Sequence, residues 1–396
     1  MPSHRDSTVR NKTKSQPVYL DTNLQLVFGV TLMAVLGVSS ITPAFPVIIE
    51  KLYISPPSVG LLITVFTLPG ILLTPVLGVL ADRLGRKRIL IPSLMLFGIA
   101  GGACALARDF NLLLGLRFLQ GMGAASLGSL NVTLIGDLYS GSRRAAAMGY
   151  NASILSVGTA SYPAIGGVLA TLAWYYPFVL PLIAVPLGFL ILFSLKNPEP
   201  KAKLSFKEYI SQALDGIKRR QVVVLLAASS ITFIILYGSY LTYFPILAGE
   251  SFLVTPLIIG LIMSVMSLTT AVTSSQLGKL AKKYPKKHLI MAGYAVYGAA
   301  LIVFLLIPKL WMLIIPSIIF GIGHGINIPS IQTLLADLSP LEYRAAFMSV
   351  NGMVLRLGQT LGPVVMGLVF SVWGIQGVFI AGAAFAAAAF LLLQAG

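Results

Sequence analysis

Gly78-Val79-Leu80-Ala81-Asp82-Arg83-Leu84-Gly85-Arg86-Lys87-Arg88-Ile89-Leu90 is the stretch whose reading decides the fold. It is a short charged turn between two apolar runs, one ending near residue 80 and the next starting near 88. An apolar run of about 20 residues can cross a bilayer as a helix. A knot of Arg and Lys between two such runs marks a cytoplasmic turn. A worn copy stands 200 positions later, Gly278-Lys279-Leu280-Ala281-Lys282-Lys283-Tyr284-Pro285-Lys286-Lys287, with Lys282 in place of the acid. The rest of the chain repeats at the same offset. Asp137-Leu138 falls on Asp337-Leu338, and Arg144-Ala145-Ala146 on Arg344-Ala345-Ala346. Gly60, Gly121, Gly158, Pro163 and Gly167 fall on Gly260, Gly321, Gly358, Pro363 and Gly367.

Composition agrees with a membrane chain. The 396 residues are 57% hydrophobic and only 10% charged, with a mean hydropathy of +0.89; a soluble domain carries about a quarter charged residues. Twelve spans are predicted, at about 24–49, 56–80, 88–107, 110–138, 144–172, 175–195, 222–247, 255–279, 288–307, 310–338, 345–372 and 375–394. The predicted fold class is an all-α integral membrane protein of two six-helix, pseudo-symmetric halves. Its parts are a cytoplasmic tail at 1–23, a bundle at 24–195, a cytoplasmic linker at 196–221 and a second bundle at 222–396. The linker is the longest charged stretch, and residues 206–217 within it could form an amphipathic surface helix or remain a solvated tether. Parallel repeats of this kind are an architecture of secondary transporters, in which one half rocks on the other around a midplane site.

The net charge of +16 is not a nucleic-acid footprint. With both termini cytoplasmic, only Lys51, Arg108 and Lys309 fall outside, and Arg117 and Arg356 lie within spans. That is the positive-inside bias. The expected location is the cell membrane. Residues 1–20 lack an apolar h-region and do not read as a cleavable signal. The one cysteine, Cys104, excludes an intrachain disulfide. No phosphate-binding loop is present, so uphill transport would draw on an ion gradient rather than ATP.

The turn at 78–90 resembles the signature loop of the major facilitator superfamily, G-x-L-a-D-r-x-G-r-k-x-x-l, almost residue for residue. The resemblance covers residues 20–394. It implies a latch in which Gly78, Asp82, Arg86 and Asp137, with Arg144 and Arg344 on the same face, engage one another and the start of helix 11 when the protein opens outward. The alternative is that the basic residues only anchor topology. Gly78 is expected to let helix 2 approach a neighbour closely. Arg117-Phe118-Leu119-Gln120-Gly121-Met122-Gly123-Ala124 is similar to a helix 4 segment of proton-coupled members. Helix 5 carries Gly158-x-x-x-Tyr162-Pro163-x-x-Gly166-Gly167, similar to the G-x-x-x-G-P-x-x-G-G motif of drug antiporters, with Tyr162 in place of the central glycine. Helix 11 restores that step as Gly358-x-x-x-Gly362-Pro363. These glycines and prolines are read as packing and bending points.

All twelve acids fall at the rims or in cytoplasmic segments, none clearly at midplane. Three basic side chains remain inside: Arg117, His324 and Arg356, each with a polar residue three positions on, Gln120, Asn327 and Gln359. An ionisable residue in a membrane interior is a functional-site hypothesis by default. The stripe Arg117, Gln120, Ala124, Gly128, Asn131 is small and polar enough to line a cavity. Each residue also has a structural reading: Arg117 as a donor to backbone carbonyls, Arg356 as an interface pair, His324 as a neutral core histidine. His324 is the one obvious interior proton carrier, since imidazole ordinarily titrates near 6.5. Tyr237, Tyr240 and Phe244 share a stripe of helix 7 that could stack on substrate or simply pack.

The function expected is secondary transport, with no enzyme activity, no cofactor and no metal. The resemblance implies proton-coupled efflux, and the basic interior implies a small amphipathic anion or zwitterion such as a siderophore. The alternative is an uptake carrier for a sugar, organic anion or other nutrient. The expected partners are substrate, protons and the lipid bilayer, with the chain as a monomer.

Overall fold

The computed structural model describes residues 17–196, 219–338 and 344–395, with the side chains of 344–347 and 349 left aside. Most of the linker expected at 196–221, its surface helix at 206–217 and most of the tail expected at 1–23 therefore lie outside the described residues. The spans are Thr22–Leu52 (α1), Pro56–Leu84 (α2), Arg86–Leu106 (α3), Phe110–Leu138 (α4), Gly141–Leu172 (α5), Tyr176–Ser194 (α6), Arg220–Phe252 (α7), Pro256–Lys283 (α8), Lys286–Leu305 (α9) and Leu310–Leu338 (α10). A last helix, Arg344–Ala395, breaks at Gly374 (φ 65°, ψ −165°) into α11 (344–373) and α12 (375–395). The break is where glycine is needed, because a side chain strains at positive φ. Among the described residues twelve crossings result, each helical, as a bilayer core requires of backbone that must satisfy its own hydrogen bonds.

Local chemistry sets the helix ends. Asp21 and Asp109 cap α1 and α4, their carboxylates accepting from the Asn23 and Leu112 amides at 2.9 Å. Proline opens α2 and α8, where a missing N–H costs nothing. Tyr53 and Leu253, 200 positions apart, cap α1 and α7 in the left-handed conformation, at φ 53° and 51°.

The repeat seen in sequence is also a repeat of contacts. A Cβ on Gly121 would collide with the Phe66 carbonyl, and one on Gly321 would sit 2.5 Å from the Met266 carbonyl. Between the halves α2 packs on α11 and α5 on α8. There Gly60 meets Pro363 while Gly260 meets the Pro163 carbonyl, and Gly167 meets Pro256 while Gly367 faces Pro57. These are reciprocal pairs about a pseudo-two-fold axis. Small residues make such close approach possible, and packing rather than a hydrophobic drive holds helices together in lipid.

The two ends of the molecule differ. At the end carrying Gly60 and Gly260 the halves touch backbone to backbone. At the end carrying the 78–90 turn, Gly78, Gly136, Gly149, Gly278 and Gly352 each face open space. The close helix approach expected at Gly78 is therefore not made in this state, because the halves have parted at that end.

Candidate functional site

A cavity of about 590 Å³ lies between the halves, walled by α1, α2, α4, α5, α7, α8, α10 and α11. Among the described residues no Asp or Glu lines it. Its charged or titratable lining groups are Arg356, His324, Tyr237 and Tyr240.

Arg356 stands on α11 and reaches across the cavity. Its Nη1 donates to Gln359 Oε1 at 3.1 Å. Its side chain lies over Gly70 of α2, where a Cβ would be 3.3 Å from Nε, and its Nη2 points at Gly128 of α4. The absence of side chains at these two glycines makes the lane for the guanidinium. His324 hangs from α10 on the opposite wall, its Nδ1 hydrogen-bonded to the Tyr297 hydroxyl of α9. Tyr240 backs that wall, stacked on Phe320 at 4.7 Å and Phe244 at 5.1 Å. Tyr237 stacks on Phe233 at 5.9 Å. Both tyrosines line the cavity from the stretch of α7 that runs as a π-helix, Ile235–Tyr243, a widening common at functional sites. Phe244 does not line the cavity.

Arg117 lies elsewhere. It is wholly buried in the first half, where Nε donates to the Leu62 carbonyl at 3.1 Å and Nη1 to Gln120 Oε1 at 2.6 Å. Its guanidinium sits 4.2 Å from the centre of the Phe66 ring, and Phe66 is the residue that lines the cavity. The stripe expected from Arg117 to Asn131 is thus split: Gly128 and Asn131 line the cavity, while Arg117, Gln120 and Ala124 do not. The cause is local. α4 is interrupted at Ala125–Ser126, and the close approach at Gly121 turns its first part toward α2. Asn327 also parts from His324. It is buried against Gly293, with Oδ1 accepting from Thr232 at 3.1 Å.

Asn131 brings in residues that sequence reading passed over. Its Nδ2 donates to Thr31 Oγ1 at 2.9 Å, and that hydroxyl donates to Asn151 Oδ1 at 2.6 Å. This links α4, α1 and α5 at the first-half wall of the cavity, which Asn131 and Asn151 both line. Thr74, Ser129, Met266 and Thr270 line the cavity as well. Their only signal is a small polar or flexible side chain on an apolar helix, which is equally the signal for packing.

The latch residues sit at the parted end. Arg86 pairs with both Asp82 and Asp137, at 3.0 Å from the latter. Lys286 pairs with Asp337, the same contact 200 positions on. Arg144 donates to the Tyr139 and Gly136 carbonyls, each at 2.8 Å, closing the end of α4. The Arg344 side chain lies outside the described residues. Of the bending positions, Gly158 meets Leu32, Gly358 meets the Ser230 carbonyl, and a Cβ on Gly362 would sit 2.9 Å from the Gly238 amide nitrogen of α7. Among the described residues no cluster of His, Cys, Asp and Glu could hold a metal.

Two pseudo-symmetric helical bundles, with a largely apolar cavity between them that holds a few polar and charged groups, define a secondary transporter of the membrane. The chain belongs to the Major Facilitator Superfamily, whose model matches residues 27–253 and 244–395. It is similar to the bacillibactin exporter of Bacillus subtilis (strain 168), at 25% identity across 88% of this chain and 90% of that protein. It is also similar to a multi-drug resistance efflux pump PmrA homolog of Lactococcus lactis, at 29% across 83% of each, and to the quinolone resistance protein NorA of Staphylococcus aureus, at 23% across 85% and 87%. Among solved structures, a bacterial homolog of the human lysosomal transporter Spinster, inward-facing and unoccupied, superposes with a TM-score of 0.81 at 18% identity, covering 96% of this chain and 98% of that one.

Proposed function

We propose that this transporter exports small amphipathic molecules bearing an anionic group, driven by protons moving inward. The observation that carries the reading is Arg356. It is a cation in a cavity between the halves that no carboxylate lines among the described residues. A guanidinium there offers a carboxylate or phenolate charge-assisted hydrogen bonds, strengthened by the low dielectric of the site. Arg117, behind Phe66, makes the first-half wall positive without entering the cavity. His324 is the proton-exchanging group, and the tyrosines of α7 supply contact area. The relatives named for efflux and for bacillibactin export support the direction and the class of cargo.

The basic turn at 78–90 is taken as cytoplasmic by the positive-inside rule. The parted end then faces the cytoplasm, and the cavity loads from inside. Asp82, Arg86 and Asp137 form the part of the latch that stays assembled in this state, waiting for α11.

The test uses inverted membrane vesicles, acidified inside by respiration and loaded with a pH dye. Amphipaths that carry a carboxylate and a cationic group should trigger proton release in wild type and not in Arg356→Ala. Release by carboxylates in the variant, or by lipophilic cations alone in wild type, would sink the charge-pairing claim.

A further inference from the structure

Antiport demands that substrate and proton exclude each other on the carrier. A plain anion does not meet that demand here. Arg356 is a fixed cation, and His324 becomes a second positive group in the same cavity when protonated. An anion binds a more positive site more tightly, and by linkage it then tightens proton binding by the same factor. That coupling moves proton and anion together.

The placement of the two groups offers a way out. Arg356 extends over Gly70 and toward Gly128, so its guanidinium lies on the first-half side of the cavity. His324 stays on the second-half side, tied to Tyr297 of α9. Among the described residues no acid lines the cavity around it, and Arg356 is the one fixed charge there. α7 presents Tyr237 and Tyr240, α8 presents Met266 and Thr270, and α11 presents Arg356 and Gln359. With Nδ1 taken by Tyr297, the other ring nitrogen has no protein partner among the described residues.

We propose that the site takes a zwitterion lengthwise, its carboxylate on Arg356 and its cationic end beside His324 on the second-half wall. This rests on the reading of the cavity as the substrate site. The first-half side, with Arg356 over it and Arg117 behind it, repels a cation, while the His324 side holds no fixed charge and offers an unpartnered ring nitrogen. The cation beside His324 then expels its proton electrostatically. Substrate loading from inside releases a proton inward, and proton binding from outside releases the substrate. The structure so arranged exports zwitterions by antiport, and plain anions without it.

The test needs ligands whose charges do not titrate with His324. Three biphenyls serve: one with a carboxylate, one with a trimethylammonium group, and one with a carboxylate and a trimethylammonium at opposite ends. Affinities are measured on purified protein in lipid nanodiscs between about pH 8 and about pH 5.5, the range in which a histidine titrates. The zwitterion should weaken about tenfold on acidification, and the carboxylate should not weaken; two charges a few ångströms apart at a protein surface readily supply that factor. In His324→Gln the zwitterion's pH slope should vanish. A zwitterion that binds more tightly in acid, or that keeps its slope in the variant, overturns the proposal while Arg356-dependent carboxylate binding still stands. The opposite slopes in wild type are decisive even if the variant fails to fold. If carboxylate and zwitterion bind Arg356→Ala as well as wild type, or bind neither protein, the substrate-site reading itself falls.

Discussion

The two halves share a skeleton and differ in chemistry. Position for position, the contacts that place the helices are copied: Gly121 on Phe66 and Gly321 on Met266, Gly60 on Pro363 and Gly260 on Pro163, Asp137 with Arg86 and Asp337 with Lys286. The groups that could handle charge are not copied. Arg117 corresponds to Ser317, His324 to Ala124 and Arg356 to Ser156. The first half buries its interior cation behind Phe66, and the second half carries its own to the cavity. Duplication therefore accounts for the fold, and departures from duplication account for the site. Substitutions at paired positions should behave alike in the skeleton and unlike in the chemistry.

The largest expected effect falls on the skeleton. Gly121→Val and Gly321→Val each force a side chain into a neighbouring helix backbone, which cannot move aside as a side chain can. Each should cost at least the overpacking penalty of about 1–3 kcal/mol, and both should lose most of the monodisperse protein recovered in detergent. Thermal melting of any protein recovered would show whether the two losses match. A large loss in one half alone would break the claim that the skeleton is shared.

Next comes the chemistry. Arg356→Ala should weaken binding of an aryl carboxylate by about 1.5–3 kcal/mol, roughly 10- to 150-fold, the usual loss of a hydrogen bond to a charged group. Its counterpart Ser156 already donates to the Ala152 carbonyl at 3.0 Å, so Ser156→Ala should change the same affinity by about twofold or less. Calorimetry on the two variants reads the asymmetry directly, and equal losses would mean that the cavity does not distinguish its walls.

The paired ion contacts sharpen the comparison at a smaller scale. Arg86 is nearly buried and holds two carboxylates, whereas Lys286 is more exposed and holds one because Lys282 stands where Asp82 would be. Exposed pairs contribute about 0–1 kcal/mol, so Lys286→Ala should barely move the melting point. Arg86→Ala leaves two acids facing each other at the membrane edge and should lower it measurably more. A reversed order would show that the worn copy of the turn is the structural one.

The skeleton was legible in the sequence because it is written in residues with a single physical use. Gly121, Pro163 and Gly167 stand where only a small or kinked residue fits, and the Asp82–Arg86 turn is charged where all around it is apolar. Arg356 and His324 stood out for the same reason, as charges with no solvent nearby. What could not be read was direction. The break at Ala125–Ser126 splits one apparent stripe into a buried part and a lining part. The π-helical stretch Ile235–Tyr243 of α7 gave no sequence signal, and the stripe expected there parts, with Tyr237 and Tyr240 on the cavity and Phe244 off it. Thr31 and Asn151 gave no signal of their own, since a lone hydroxyl or amide on an apolar helix is noticed only when its partner on another helix is known.

The smallest stability effect belongs to the parted end, and it tests whether the halves move. A Cβ at Gly78 or Gly278 would meet nothing in this state. Gly78→Ala and Gly278→Ala should therefore leave the melting point unchanged or raise it slightly, since alanine gains up to about 1 kcal/mol over glycine inside a helix. Transport is a different measurement. If the cycle brings that end together as the other end now is, Gly78 becomes a contact, and a bulkier Gly78→Val should slow efflux while leaving this conformation stable. Unchanged turnover in Gly78→Val would mean that the 78–90 turn stays apart from the second half throughout the cycle, and the latch would reduce to the Asp82–Arg86–Asp137 cluster within the first half.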